Sequence, residues 1–211
     1  MDRLLGAASY QGSPPLWLVS EGLVVAVVGT ALVVGAGGLV VLGGLSPIRS
    51  TALIAVAVAA VVLYLLITRA GHALVAGIAI LGAVLAPAVS RLAAELVLCG
   101  AGRTQDVVVT AVAYEPAVNP AYACTVRLQD GAPVQPRLRR GCGPSVVPGD
   151  LIAMVYDPAG RVAPRGLAGP GTLVRAAAEA VFLVLVFATV CFLAVVRSYR
   201  VPSTGSAQPR G

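Results

Sequence analysis

Gly149-Asp150-Leu151-Ile152-Ala153-Met154-Val155-Tyr156-Asp157-Pro158 is the stretch on which the reading of this chain turns. Leu151, Ala153 and Val155 alternate with Ile152, Met154 and Tyr156, the period of two expected of a strand with two different faces. Pro148-Gly149-Asp150 turns the chain into it and Pro158-Ala159-Gly160 turns it out. A single strand leaves its backbone donors and acceptors unpaired, so the neighbouring segments must supply partners.

They do so on both sides. Residues 104–115 are dominated by Val and Ala with Tyr114 and predict a first strand. Glu115-Pro116 to Asn119-Pro120 predicts a loop, because two prolines remove ladder donors. Residues 121–129 predict a second strand, Asp130-Gly131 a hairpin turn, and residues 134–140 a third strand whose Pro136 marks an edge. Residues 161–165 predict a short fifth strand after the one quoted. Five short antiparallel strands predict a small all-β domain over residues 101–168, an open barrel or a sandwich.

Outside this insert the chain changes character. Of 211 residues, 58% are hydrophobic and only 11% charged, far below the roughly one quarter of a soluble domain. The apolar residues fall in long runs, which predict four transmembrane helices: three within residues 21–100 (about 23–45, 52–68 and 73–98) and one over residues 172–197. Pro87 is expected to kink the third. Residues 1–20, with Arg3, Tyr10 and Trp17, predict an interfacial lead-in, and residues 198–211 a disordered tail. The fold class expected is therefore membrane α-helical, with the β-domain carried between the third and fourth helices.

The net charge of +6 comes from 15 Arg with no Lys. With abundant Ala, Gly, Val and Pro, this usage resembles that of a GC-rich bacterial genome. It points to a bacterial inner-membrane protein, with scattered Arg as topology determinants and not as a nucleic-acid surface. Arg counts near the helix ends almost tie between the two orientations. Long loops translocate with little regard to charge, which favours both termini in the cytoplasm and the β-domain outside.

Cys124 and Cys142 lie in the insert, 18 positions apart, on opposite sides of the expected hairpin. They read either as a disulfide, which needs an oxidising compartment, or as two buried thiols; the disulfide is the expectation. Cys99 and Cys191, near opposite membrane faces, are not expected to pair.

Arg91/Glu95 and Arg175/Glu179 are both i, i+4 pairs, one at the exit of the third helix and one at the entry of the fourth. Cross-pairing of Arg91 with Glu179 and of Arg175 with Glu95 would brace a helical neck; an ion pathway is the other reading, and the boundary position favours bracing. Arg137, Arg139 and Arg140 form a patch suited to a carboxylate or phosphate partner, against the plainer reading of a charged edge strand.

Catalytic side chains are scarce. His72 is the only histidine and lies outside the insert, which excludes a Ser–His–acid triad there, and without Lys there is no Schiff base. No enzyme activity, cofactor or metal site is expected. The bilayer is the expected partner; Gly22/Ala26 and Ala31/Gly35 on the glycine-rich first helix are small-xxx-small pairs, which read first as packing within the chain and second as a face for a protein partner or a second copy. No nucleic acid is expected.

The Gly149-Asp150 turn, the alternating strand and Tyr156-Asp157-Pro158 resemble a bacterial membrane-protein family of unknown function. Its members carry a small β-domain between two transmembrane helices and end it in a G-D-x-V-x-V-x-Y-D-P-like run. The resemblance covers roughly residues 90–195 and implies architecture, without catalytic residues. The function expected is a binding or scaffold module displayed outside the membrane. An accessory subunit of a membrane enzyme or of a secretion or transport complex is the alternative, and a small channel or transporter a weaker one.

Overall fold

A computed structural model describes residues 16–44, 47–68, 71–116 and 121–198. Four helices, α1 (Leu16–Leu42), α2 (Pro47–Ile67), α3 (His72–Ala101) and α4 (Thr172–Ser198), accompany five strands. These are β1 (Arg103–Glu115), β2 (Ala121–Arg127), β3 (Pro133–Leu138), β4 (Leu151–Tyr156) and β5 (Arg165–Gly166). All four helices are long and apolar enough to cross a membrane, so the chain reads as a multi-pass membrane protein. Helix α1 begins at Leu16 and so takes in residues 16–20 of the segment expected to be interfacial, Trp17 and Ser20 among them. Arg3, Tyr10 and the tail beyond residue 198 lie outside the described residues. Helix α3 continues through Pro87.

The chain divides into two compact units. The first takes residues 1–36, 51–86 and 181–211, and its described residues are almost all helical and apolar. Its described core includes Val33, Leu65, Ile78, Leu85, Phe187 and Cys191. Small residues allow its helices to approach closely: a Cβ at Gly22 would lie 3.0 Å from the Phe192 ring, and one at Gly82 3.0 Å from Val58. Gly22, from the first small-xxx-small pair, therefore packs within the chain. A Cβ at Gly35, from the second, would meet nothing within 4 Å.

The second unit takes residues 37–50 and 87–180 and contains the sheet together with helix ends. Only Gly102 separates α3 from β1, and a side chain there would collide with the Leu98 carbonyl and with Val155. Val41 of α1, Ala94 and Leu98 of α3 and Val162 of the loop after β4 form a small apolar cluster at this junction. The Ser90 hydroxyl donates to the Gly37 carbonyl, 3.0 Å away. Domain and helix end are thus packed together, with no free linker between them.

The five strands make one antiparallel sheet in the order β3-β2-β1-β4-β5. The long β1 is shared: residues 103–108 pair with β4, and residues 108–115 pair with β2. Its register shifts between Val109 and Ala111, where the Thr110 hydroxyl donates to the Thr125 carbonyl at 3.0 Å. Such a shift bends a strand and increases its twist. Val107, Val109, Cys124, Val126, Leu138 and Met154 fill the core on the inner side.

The sheet's two edge strands approach each other after this bend. A Cβ on Gly166 of β5 would overlap the backbone carbonyl of Arg140, just beyond β3. The edges share no ladder among the described residues, so the sheet is a single curled one, without a second facing sheet.

At β3 and β5 the strand boundaries differ from the sequence expectation for local reasons, and β2 ends at Arg127, two residues early. β3 stops at Leu138, because Arg139 to Cys142 form a turn with Gly141 at φ 82°. β5 is confined to Arg165–Gly166 because residues 157–161 are folded around the Asp157 side chain. The run quoted first is accordingly β4 bracketed by two aspartate-capped turns. Asp150 accepts from the Val147 amide at 2.9 Å, and Asp157 accepts from the Ala159 and Arg161 amides, each at 3.1 Å.

Candidate functional site

Several charged residues of the second unit converge on one place. Glu95 sits on the last third of α3 and is buried, at 7% exposure. A carboxylate removed from water needs charged or hydrogen-bonding partners, and it has two. Arg140 donates from both Nη atoms, at 2.7 Å to Oε1 and 3.2 Å to Oε2. Arg165 donates to Oε1 at 3.1 Å. One partner follows β3 and the other begins β5, so a single carboxylate on the helix holds both edges of the curled sheet. Two-point contact of this kind uses the planar fork of Arg and fixes its orientation.

This arrangement replaces the expected cross-brace. Arg175 does not reach Glu95, nor Arg91 Glu179; among the described residues none of Arg91, Arg175 and Glu179 enters a salt bridge. All three are exposed and line a cavity of about 630 Å³ together with Glu95. Arg137, Arg139, Arg140 and Arg165 complete its charged wall.

The expected three-arginine patch is divided in two. Arg137 and Arg139 both turn to Glu115 at the end of β1, Arg137 at 3.6 Å and Arg139 in closer contact. Arg140 turns instead to Glu95. Even so, all three remain on the cavity wall. Six arginines there face the carboxylates Glu95 and Glu179, and Glu115 offsets one more. Six against three leaves a net of three positive charges around one cavity.

The disulfide between Cys124 and Cys142 forms, with Cα atoms 5.8 Å apart. It ties the core of β2 to the residue two places after Arg140, anchoring the turn that presents Arg139 and Arg140. Cys99 and Cys191 are free thiols. His72 is the exposed first residue of α3.

A second ion pair stabilises the exit of β4. Asp157, 5% exposed, accepts from the Arg161 side chain at 2.9 Å and 3.3 Å. These bonds, ahead of the two backbone amides, hold its carboxyl below the ordinary aspartate range and raise the guanidinium of Arg161.

Sequence reading did not single out Arg165, nor the partners of Glu95. The only signal was a lone carboxylate close behind the uncharged residues 73–90, which identifies a residue needing a partner without saying which.

No family model, curated protein or solved structure matches this chain.

Proposed function

We propose that the chain is a bacterial inner-membrane protein that presents its curled sheet outside the cytoplasm as a binding module. The observation that supports this best is the arginine-lined cavity: a concave site of ligand-binding size with an excess of positive charge. Arginine forks recognise carboxylate and phosphate, so the module binds an anionic group. The Cys124–Cys142 bond supports the extracytoplasmic side, since such bonds persist in oxidising compartments. The resemblance to membrane proteins with a β-domain between two helices adds architecture to this reading and no activity.

Topology is the test. A cysteine introduced at Asp130 or Gly131, in a chain whose exposed free Cys99 is replaced by Ala, should react with a membrane-impermeant maleimide on spheroplasts, and the C99A parent should not. Labelling only after lysis would reverse the orientation and remove the binding module from the envelope.

A further inference from the structure

We propose that the arginine-lined cavity is a site for the phosphate of an anionic membrane lipid; the proposal rests on the membrane-spanning reading above. Three observations lead there. First, Arg140 and Arg165 are oriented by the buried Glu95 carboxylate, while Arg91 and Arg175 line the same cavity without a salt bridge among the described residues. Guanidinium groups held before any ligand arrives lose little freedom on binding, and the two unengaged ones supply the uncompensated charge.

Second, the position along the helices matches headgroup depth. Arg91 is the first charge after the uncharged residues 73–90, and Glu179 is the last before the uncharged residues 180–196. Each uncharged segment is about 26 Å long at 1.5 Å per residue, close to the roughly 30 Å of a bilayer core. The cavity charges therefore stand where two apolar spans end, within reach of a phosphate whose acyl chains remain in the membrane.

Third, the volume of about 630 Å³ admits a headgroup and not only a bare ion. Glu179, exposed on the wall, can accept hydrogen bonds from headgroup hydroxyls and disfavours a densely charged polyanion. In this assignment Arg91 and Arg175 contact the phosphate, while Glu95 acts as a positioning residue through Arg140 and Arg165.

The test uses the full chain in maltoside micelles, with binding read by native mass spectrometry. Short-chain phosphatidylglycerol, short-chain phosphatidylcholine, inorganic phosphate and an oligoglutamate peptide are the probes. Phosphatidylglycerol should bind at least about tenfold more tightly than the other three. The R91Q/R175Q protein should lose at least about tenfold of that affinity, the scale of lost charge-assisted bonds. Both positions are exposed and enter no salt bridge among the described residues, so folding should persist; R91Q and R175Q alone, each weakening binding, serve if the double variant does not fold. Equal binding of phosphatidylcholine, of inorganic phosphate or of oligoglutamate would overturn the assignment, as would an R91Q/R175Q protein with unchanged affinity. External maleimide labelling without selective lipid binding would refute this inference alone. Lipid binding with cytoplasmic labelling would refute only the orientation.

Discussion

Glu95 and Arg140 meet through two hydrogen bonds, 2.7 and 3.2 Å long, that join a membrane helix to the end of β3. Because Arg165 shares the same carboxylate, this contact also closes the sheet onto itself. Removing the carboxylate leaves two partly buried guanidiniums facing each other without a counter-charge. Glu95→Gln should destabilise the protein by roughly 1–3 kcal/mol, below the full value for a buried pair because both arginines are about one-third exposed. Thermal unfolding in detergent measures it. Adding Arg140→Met to Glu95→Met should restore part of the loss, since the uncompensated charge goes too; strict additivity would argue against a direct pair.

Gly166 tests the approach of the two sheet edges. Its Cβ position is occupied by the Arg140 backbone carbonyl, which cannot rotate away as a flexible side chain would. Gly166→Ala should cost about 2 kcal/mol or more, a loss tied to backbone collision. Gly169→Ala, where a Cβ would meet only the Thr172 hydroxyl oxygen at 3.9 Å, should stay within about 0.5 kcal/mol. Equal unfolding midpoints for the two variants would mean that the edges do not approach in solution.

The Cys124–Cys142 bond closes a loop spanning 18 positions and should contribute roughly 3 kcal/mol. A reductant should therefore lower the unfolding midpoint of the wild-type chain and leave a C124A/C142A protein unaffected. Since Cys142 lies two residues from Arg140, reduction should also increase proteolysis between residues 139 and 145. An unchanged midpoint under reducing conditions would show that the bond is not made.

Asp157 predicts an acid dependence. Its carboxyl is held below the ordinary range, first by the Arg161 side chain and then by the Ala159 and Arg161 amides. A group depressed on folding adds stability that is fully present above its unfolded value, near pH 4, and is lost as pH falls through the folded one. Asp157→Asn should lower the unfolding midpoint at neutral pH and converge on the wild type below about pH 3. A constant gap across that range would assign the effect to packing and not to the charge.

Much of the architecture is legible locally. Helix spans follow from runs of uncharged residues about as long as a bilayer core is thick, and the strands from alternation punctuated by Gly, Pro and Asp turns. The Asp130-Gly131 hairpin is encoded within a few residues: the Leu128 amide reaches the Ala132 carbonyl at 2.9 Å, and the Asp130 side chain accepts from the Ala132 amide at 3.0 Å. The strand ends were less legible, since side-chain capping by Asp157 competes with ladder pairing over residues 161–164.

The charges were a different matter. Helical spacing puts Arg91 and Glu95 on one face and Arg175 and Glu179 on another, and pointed to cross-pairing of Arg91 with Glu179 and of Arg175 with Glu95. The partners of Glu95 stand instead 45 and 70 positions away. Short-range periodicity and hydropathy, which the amino-acid sequence carries directly, determined the four spans, the β insert and its turns. Which carboxylate faces which guanidinium depends on how a bent strand brings two sheet edges to one helix, and that only the tertiary structure decided. Coulombic partners are chosen by distance in space, and no local pattern in the chain records it.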